Sequence, residues 1–307
     1  MLTLLHASDL HFGEPYRPEV GEALRRAALD MAPDVLVLSG DFTQRAKVAE
    51  YQAARAFLDS LPDVPRVVTP GNHDVPLYRV FERALAPYGN YRAHIQDELD
   101  TVTRVEGAVI VALNSSAPHH AIVNGRISPE QVDFAAEAFD GAPEGAARVM
   151  VTHHLLAFAP DDEADARLPR AREILTAFHD MGVELVLSGH LHRGFVASSL
   201  DVVPEVDSHA IVMAYSGTTT SSRGRGRERG RNSFNRVRVD RDRVEVTRFL
   251  HRPADGCFTP DAVHVFPRGS ARPGWAQQVE LGGASAIGTP APAHEAAAAL
   301  EPREAAR

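Results

Sequence analysis

The chain has 307 residues, 44% hydrophobic and 24% charged, ordinary values for a soluble globular protein with room for one large core. A net charge of −9 argues against a molecule-wide nucleic-acid footprint, and a single cysteine, Cys257, excludes an internal disulfide framework. No run approaches the roughly 18–20 apolar residues that span a bilayer. The N-terminal Met-Leu-Thr-Leu-Leu has no basic region ahead of it, so no signal peptide is expected and the cytoplasm is the expected compartment.

In chain order, runs rich in Val, Leu and Ile predict strands at Leu2–Ala7, Asp34–Leu38, Arg66–Thr69, Val109–Leu113, Arg148–Thr152 and Glu184–Leu187. Segments with helical spacing fall between them: Pro18–Met31, Lys47–Leu61, Val75–Ala86, Pro129–Phe139 and Arg170–Met181. Ser128 before Pro129 reads as an N-cap with proline at the first helical position, and Gly182 as a helix stop. This alternation predicts an α/β chain. From Arg193 onward the predicted elements are Arg193–Ser199, Ala210–Tyr215, Ser233–Val239 and Val244–Leu250, with no long helix between them. They are expected to form a second, antiparallel sheet beside the first. Residues 1–268 are expected to be one domain and the Ala-, Gly- and Pro-rich residues 269–307 a disordered tail, with a helix possible in outline around His294–Leu300.

Five predicted strands share one feature: polar residues able to bind a metal stand just past their carboxyl ends. Leu2–Ala7 leads to Asp9 and His11, and Asp34–Leu38 to Asp41. Arg66–Thr69 leads to Asn72, His73 and Asp74, Arg148–Thr152 to His153 and His154, and Glu184–Leu187 to His190 and His192. Open α/β sheets build their sites at that edge. Asp9, His11, Asp41, Asn72, His153, His190 and His192 are too many ligands for one ion, so the set points to two. Carboxylate, amide and imidazole donors without thiolate suit manganese, iron or zinc. Two ions about 3.5–4 Å apart can activate water and hold both oxygens of an in-line displacement at phosphorus.

The blocks Asp9-Leu-His11, Gly40-Asp41, Gly71-Asn72-His73-Asp74, His153 and Gly189-His190-Leu191-His192 resemble, in order, the signature of calcineurin-like metallophosphoesterases. The resemblance covers about residues 1–250. It implies a four-layer sandwich of two β-sheets flanked by helices. It also implies one metal site of Asp9, His11, Asp41 and His192, and another of Asp41, Asn72, His153 and His190. Asp41 would bridge them, a hydroxide between the ions would attack phosphorus, and His73 would face the leaving group without binding metal. Length and the simple set of blocks are most similar to the bacterial group that includes class III cyclic nucleotide phosphodiesterases. That likeness implies a small phosphodiester substrate, such as a 3′,5′-cyclic nucleotide or a glycerophosphodiester. The alternatives are a nuclease or phosphomonoesterase of the same family, or a non-catalytic binding module. A silent module should lack a ligand or the His73 equivalent, and neither is missing.

Other residues invite weaker readings. Asp74 either orients His73 or caps a helix starting near Val75. Arg45, four residues past Asp41, is read as a surface arginine, His6 as core packing, and His154 as pointing away from its neighbour. His119, His120 and His209 belong to no block. The run Arg223-Gly-Arg-Gly-Arg-Glu-Arg-Gly-Arg231 reads as a solvated hairpin loop or, alternatively, as an anion-steering arm. Its lack of aromatics argues against base stacking and a nucleic-acid partner. Oligomeric state leaves no mark in the sequence.

Overall fold

A computed structural model describes residues 1–119, 125–157, 167–205 and 209–268, together with the backbone of Gln277–Glu280. In chain order its elements are β1 (Leu2–Ala7), α1 (Pro18–Met31), β2 (Val35–Leu38), α2 (Val48–Asp59), β3 (Arg66–Val68), α3 (Val80–Leu85), α4 (Gly89–His94), β4 (Thr101–Val105) and β5 (Ala108–Ala112). These are followed by α5 (Pro129–Asp140), β6 (Ala147–Val151), α6 (Ala171–Asp180), β7 (Leu185–Ser188), β8 (Phe195–Ser198), β9 (Val212–Tyr215), β10 (Ser233–Val239), β11 (Arg243–Arg252), β12 (Cys257–Pro267) and β13 (Gln277–Glu280). The six strands predicted before residue 190 all form, within a residue or so of the predicted bounds. Ser128 caps α5 as predicted, accepting the Gln131 N–H while the Gln131 side chain accepts the Ser128 N–H.

Among the described residues the strands make two sheets, in the orders β13-β12-β11-β10-β1-β2-β3 and β4-β5-β6-β7-β9-β8. Period-two alternation sorts each strand's side chains between layers. Val35 and Val37 of β2 face the inter-sheet core with Leu4, Ile110, Val149 and Leu187, whereas Leu36 and Leu38 pack under α1 and α2 beside Leu24, Ala28 and Leu58. Val109 and Val111 of β5 turn the other way, onto Phe139 of α5 and Leu175 and Phe178 of α6. Three apolar interfaces thus bind four layers, helix–sheet–sheet–helix, as the resemblance implies. Each fully buried Leu or Val contributes about 1.5–3 kcal/mol.

The expectation of a separate antiparallel sheet after Arg193 is corrected. β8 and β9 extend the sheet of β4–β7, β9 lying parallel to β7, whereas β10–β12 extend the sheet of β1–β3 through the antiparallel β1–β10 pair. β1 is apolar on both faces and needs partners on both edges; Leu4 opposite Val237 supplies one on the side that β2 leaves open. A helix from Val75 is likewise corrected. Asn72–Asp74 form a 3₁₀ turn and α3 starts only at Val80; Pro76 disfavours helical backbone at Val75, which is extended. Within the segment expected to be a disordered tail, Gln277–Glu280 pairs antiparallel with β12, in register Val263 with Val279, meeting backbone groups that an edge strand would leave open. The remainder of residues 269–307, including the outlined helix, lies outside the described residues.

Candidate metal centre

The carboxyl ends of β1, β2 and β3 in one sheet and of β6 and β7 in the other converge, and their following loops carry the site. Several of these loop residues reverse the chain in the left-handed region. Among the described residues, positive φ at non-glycine positions occurs at Asp9, His11, Asp41, His190 and His192, and otherwise only at Ala32, Ala46 and Arg170. Such backbone costs about 1–2 kcal/mol per residue. Its concentration here is the kind of strain that a functional site holds. The motif glycines allow the loops to touch: a side chain at Gly71 would overlap Asp41 Oδ1, and one at Gly189 would overlap Ser8 Oγ.

Two groups of donor atoms meet at Asp41. In the first, ligand atoms of Asp9, His11, Asp41 and His192 all lie within 4.8 Å of one another, and all four residues are buried. His11 Nε2 is 3.0 Å from His192 Nε2 and 3.6 Å from Asp41 Oδ2, and His192 Nε2 is 3.1 Å from Asp9 Oδ1. In the second, His153 Nε2 is 3.5 Å from Asp41 Oδ2, 3.2 Å from Asn72 Oδ1 and 3.3 Å from His190 Nδ1, which is itself 3.1 Å from Asn72 Oδ1. The seven predicted ligand residues are therefore brought together, with the same oxygen of Asp41 facing both groups.

These atoms lack ordinary partners. Asp9 Oδ1 and Asp41 Oδ2 are buried and accept no hydrogen bond, an arrangement costly for carboxylates. His153 Nδ1 donates to the Ser39 carbonyl at 2.7 Å and His192 Nδ1 to the Arg223 carbonyl at 3.2 Å. Both rings then turn Nε2 toward other ring nitrogens and carboxylate oxygens, a crowding of acceptor atoms that positive charge, from protons or metal, stabilises. A backbone carbonyl behind each imidazole is also the usual outer support of a metal-binding histidine. The donor set fits two cations sharing Asp41.

The electrostatics agree. Burial alone pushes the Asp9 and Asp41 carboxyls up, but the charge of His192 on Asp9, and of His153 on Asp41, holds both well below the carboxylate range. Burial lowers His11 to about 4 and His190 to about 3, favouring the neutral rings that bind metals. At His153 burial opposes protonation, yet the Asp41 charge raises it to about 9. Absent other cations, a proton there offsets the carboxylates.

His73 stands beside the first group. Its backbone N–H donates to Asp41 Oδ1 at 2.8 Å, and its ring meets that of His11 edge-on at 4.8 Å. Its Nδ1 donates to the Gln44 carbonyl at 2.9 Å. Asp74 does not orient this ring. Its carboxylate accepts the N–H groups of Phe42, Thr43 and Gly71 and the Thr43 hydroxyl, binding the Asp41 loop to the Asn72 loop. His6 is buried with Nε2 2.9 Å from Ser39 Oγ, a core role. His154 Nδ1 pairs with Ser115 Oγ at 2.8 Å, and its ring lies 4.6 Å from that of His190. The guanidinium of Arg45 lies over Tyr78, 4.8 Å from the ring centre. His119 and His209 stand outside both groups; His209 Nε2 contacts the Val183 carbonyl at 2.7 Å. His120 lies outside the described residues.

The arginine run is not a hairpin loop. It crosses from β9 of one sheet to β10 of the other, with a 3₁₀ turn at Gly226–Glu228 and a buried Glu228 that accepts from Ser233 Oγ at 2.8 Å. Arg223 Nη1 donates to Gln44 Oε1 at 2.9 Å. Gln44 and Arg223 carry no motif signal, and only the charge of the run could have drawn notice to the latter.

Two sheets between helices, with a buried Asp/His cluster at their shared carboxyl edge, define a metallophosphoesterase. Residues 2–194 match the model of the calcineurin-like phosphoesterases, and the chain belongs to that family. A protein of Synechococcus sp. described as a probable cyclic nucleotide phosphodiesterase is 31% identical over 169 residues, covering 54% of this chain and 60% of the relative. The chain thus aligns with less than two-thirds of that protein's length. A purple acid phosphatase from yellow lupin seeds shares the fold with a TM-score of 0.64 at 11% identity, over 84% of this chain and 52% of that one. A dimetal phosphatase from Danio rerio gives 0.55 at 14% identity, over 80% and 95%. Family membership supports a phosphoester hydrolase and, with the cluster, a dinuclear metal site. Among the described residues no helix is long and apolar enough to cross a membrane.

Proposed function

We propose that this chain is a dinuclear-metal phosphodiesterase acting on small substrates such as 3′,5′-cyclic nucleotides or glycerophosphodiesters. The observation that carries the reading is the pair of donor groups meeting at Asp41 Oδ2. Asp9, His11, Asp41 and His192 would hold one ion and Asp41, Asn72, His153 and His190 the other, drawn from manganese, iron and zinc by the oxygen and imidazole donors. When bound, such a pair supplies Lewis-acid activation of water and of the phosphoryl group.

The chain's own residues do the rest. Asp41 ties the two donor groups to His73 through its second oxygen, so the imidazole keeps its place relative to the candidate ligands. The Gln44 carbonyl holds His73 Nδ1–H, and Nε2 delivers a proton to the departing oxygen. Ser39 and Arg223 carbonyls orient His153 and His192. The diester preference draws support from the Synechococcus relative, whose described activity is on cyclic nucleotides.

Purification with metal analysis, then steady-state kinetics on cyclic nucleotides, glycerophosphodiesters, phosphomonoesters and single-stranded DNA, tests the reading. Two metals per chain and the highest kcat/KM on a small diester are expected. A preference for monoesters or DNA would replace the proposed substrate class, and a metal-free, inactive protein would end the proposal.

A further inference from the structure

Beside the metal centre lies a cleft of about 420 Å³ whose lining includes Gln44, Arg45, Lys47, Arg223, Glu14 and Glu50. Its volume falls in the range of about 300–1,000 Å³ that small-molecule sites occupy. The cleft is wired directly to the centre. The Gln44 carbonyl holds His73, the Gln44 side chain accepts from Arg223, and the Arg223 carbonyl holds His192. Two of the residues that line the cleft, Gln44 and Arg223, are therefore in direct contact with His73 and His192.

The charge of the cleft selects what it takes. Glu50 is occupied, its Oε2 accepting the backbone N–H groups of Arg45 at 2.7 Å and Lys47 at 3.3 Å. The Lys47 ammonium and the guanidinium groups of Arg45 and Arg223 remain as donors, and Arg223 spends one N–H on Gln44. The charges of Asp41, Arg225, Asp9 and Arg45 all act on Arg223, so its guanidinium lies within electrostatic reach both of the centre and of two further cations. Arg45 leads on to Tyr78, which is 72% exposed and offers a planar surface for a base.

We propose that this cleft is a subsite for a second phosphate, and that the preferred substrates are nucleotidic phosphodiesters carrying a phosphate besides the one attacked. The inference rests on the phosphodiesterase reading above and shifts its substrate from the singly phosphorylated examples to diesters that carry a second phosphate. Lys47 and Arg223 are the specificity-determining residues, binding the non-reacting phosphate by charge-assisted contacts.

The test compares thymidylyl-thymidine with and without a 5′-phosphate, following cleavage of the internal diester, with bis(p-nitrophenyl) phosphate as a substrate that has no second anion. The 5′-phosphate should raise kcat/KM at least about tenfold, the scale of a hydrogen bond to a charged group. Lys47→Gln and Arg223→Gln should each bring the ratio of the two dinucleotides toward one, acting mainly through KM; Lys47 is exposed, so its variant guards against a folding defect in the other. A wild-type ratio near one, with all three substrates turned over, would overturn the subsite and leave the phosphodiesterase reading intact. A high ratio unchanged in both variants would place the selection elsewhere and also overturn it. No turnover of any of the three would overturn the subsite, and the phosphodiesterase reading would fall with it only if 3′,5′-cyclic nucleotides and glycerophosphodiesters were also left intact.

Discussion

Asp41 faces His73 with one carboxylate oxygen and the histidine cluster with the other: Oδ1 accepts the His73 backbone N–H at 2.8 Å, while Oδ2 lies 3.6 Å from His11 Nε2 and 3.5 Å from His153 Nε2. One side chain thus couples the candidate metal ligands to the proposed proton donor. Asp41→Ala is expected to abolish turnover and to lower bound metal toward one ion or none. The carboxylate charge that lets two cations approach each other is gone. Metal per chain after exhaustive dialysis, measured beside kcat, checks this. Two retained metals with near-normal activity would remove Asp41 from the shared position.

Gly71 tests the same geometry without touching a ligand. Its φ of −101° is open to any residue; the constraint is space, since an added Cβ would overlap Asp41 Oδ1 and its backbone nitrogen. Gly71→Ala should therefore fold, displace Asp41 and reduce kcat about 10²-fold, the scale of a displacement of about 1 Å at a reacting centre. Unchanged kcat together with unchanged metal content would show that the loop yields elsewhere.

Asp74 carries stability rather than chemistry. Asp74→Ala leaves the buried N–H groups of Phe42, Thr43 and Gly71 without their acceptor. At about 1–3 kcal/mol for each buried group left unsatisfied, the loss should total roughly 3 kcal/mol or more. Urea unfolding of the metal-free protein reports it. A loss below about 1 kcal/mol would mean that water or neighbouring groups replace the carboxylate.

The strand-then-ligand pattern was legible because both parts are local: an apolar run marks Leu2–Ala7, and Asp9 and His11 follow it directly. The partition of later strands was not. β10 reaches back to β1, Val237 against Leu4, and nothing within Ser233–Val239 says which of two apolar sheet edges it will join. For the same reason the sequence suggested an antiparallel sheet of its own. The left-handed backbone at Asp9, His11, Asp41, His190 and His192 was equally hidden, because Asp and His do not demand it as glycine would; packing of the loops imposes it. Arg223 is recognisable only as one arginine among several until its carbonyl is found on His192. Asp74 fits neither option offered: besides the nearby Gly71 N–H, its partners Phe42 and Thr43 belong to a loop more than thirty residues away in sequence, not to the helix expected after it.

The role of His73 separates a proton donor from a group that merely positions the substrate. Its Nδ1–H is committed to the Gln44 carbonyl and its backbone N–H to Asp41, so in the proposed mechanism Nε2 is the atom left to act on the leaving oxygen. An alkoxide such as the 3′-oxygen of ribose leaves poorly without a proton, whereas nitrophenolate needs little help. General acid catalysis typically contributes about 10²–10⁴-fold. His73→Ala should keep the metal content and fold of the parent and lose about that factor on a cyclic nucleotide, but far less on bis(p-nitrophenyl) phosphate. His73→Gln keeps an amide that can occupy part of the same space without donating an acidic proton, and it should show the same contrast between substrates. Both kinetic comparisons need one metal regime and a chemical step shown to limit turnover. Equal losses on the two substrates would make His73 a positioning or electrostatic residue, because a missing proton matters only where the leaving group requires one. Loss of metal from either variant would instead make it a ligand, which its committed Nδ1 and its place beside His11 argue against.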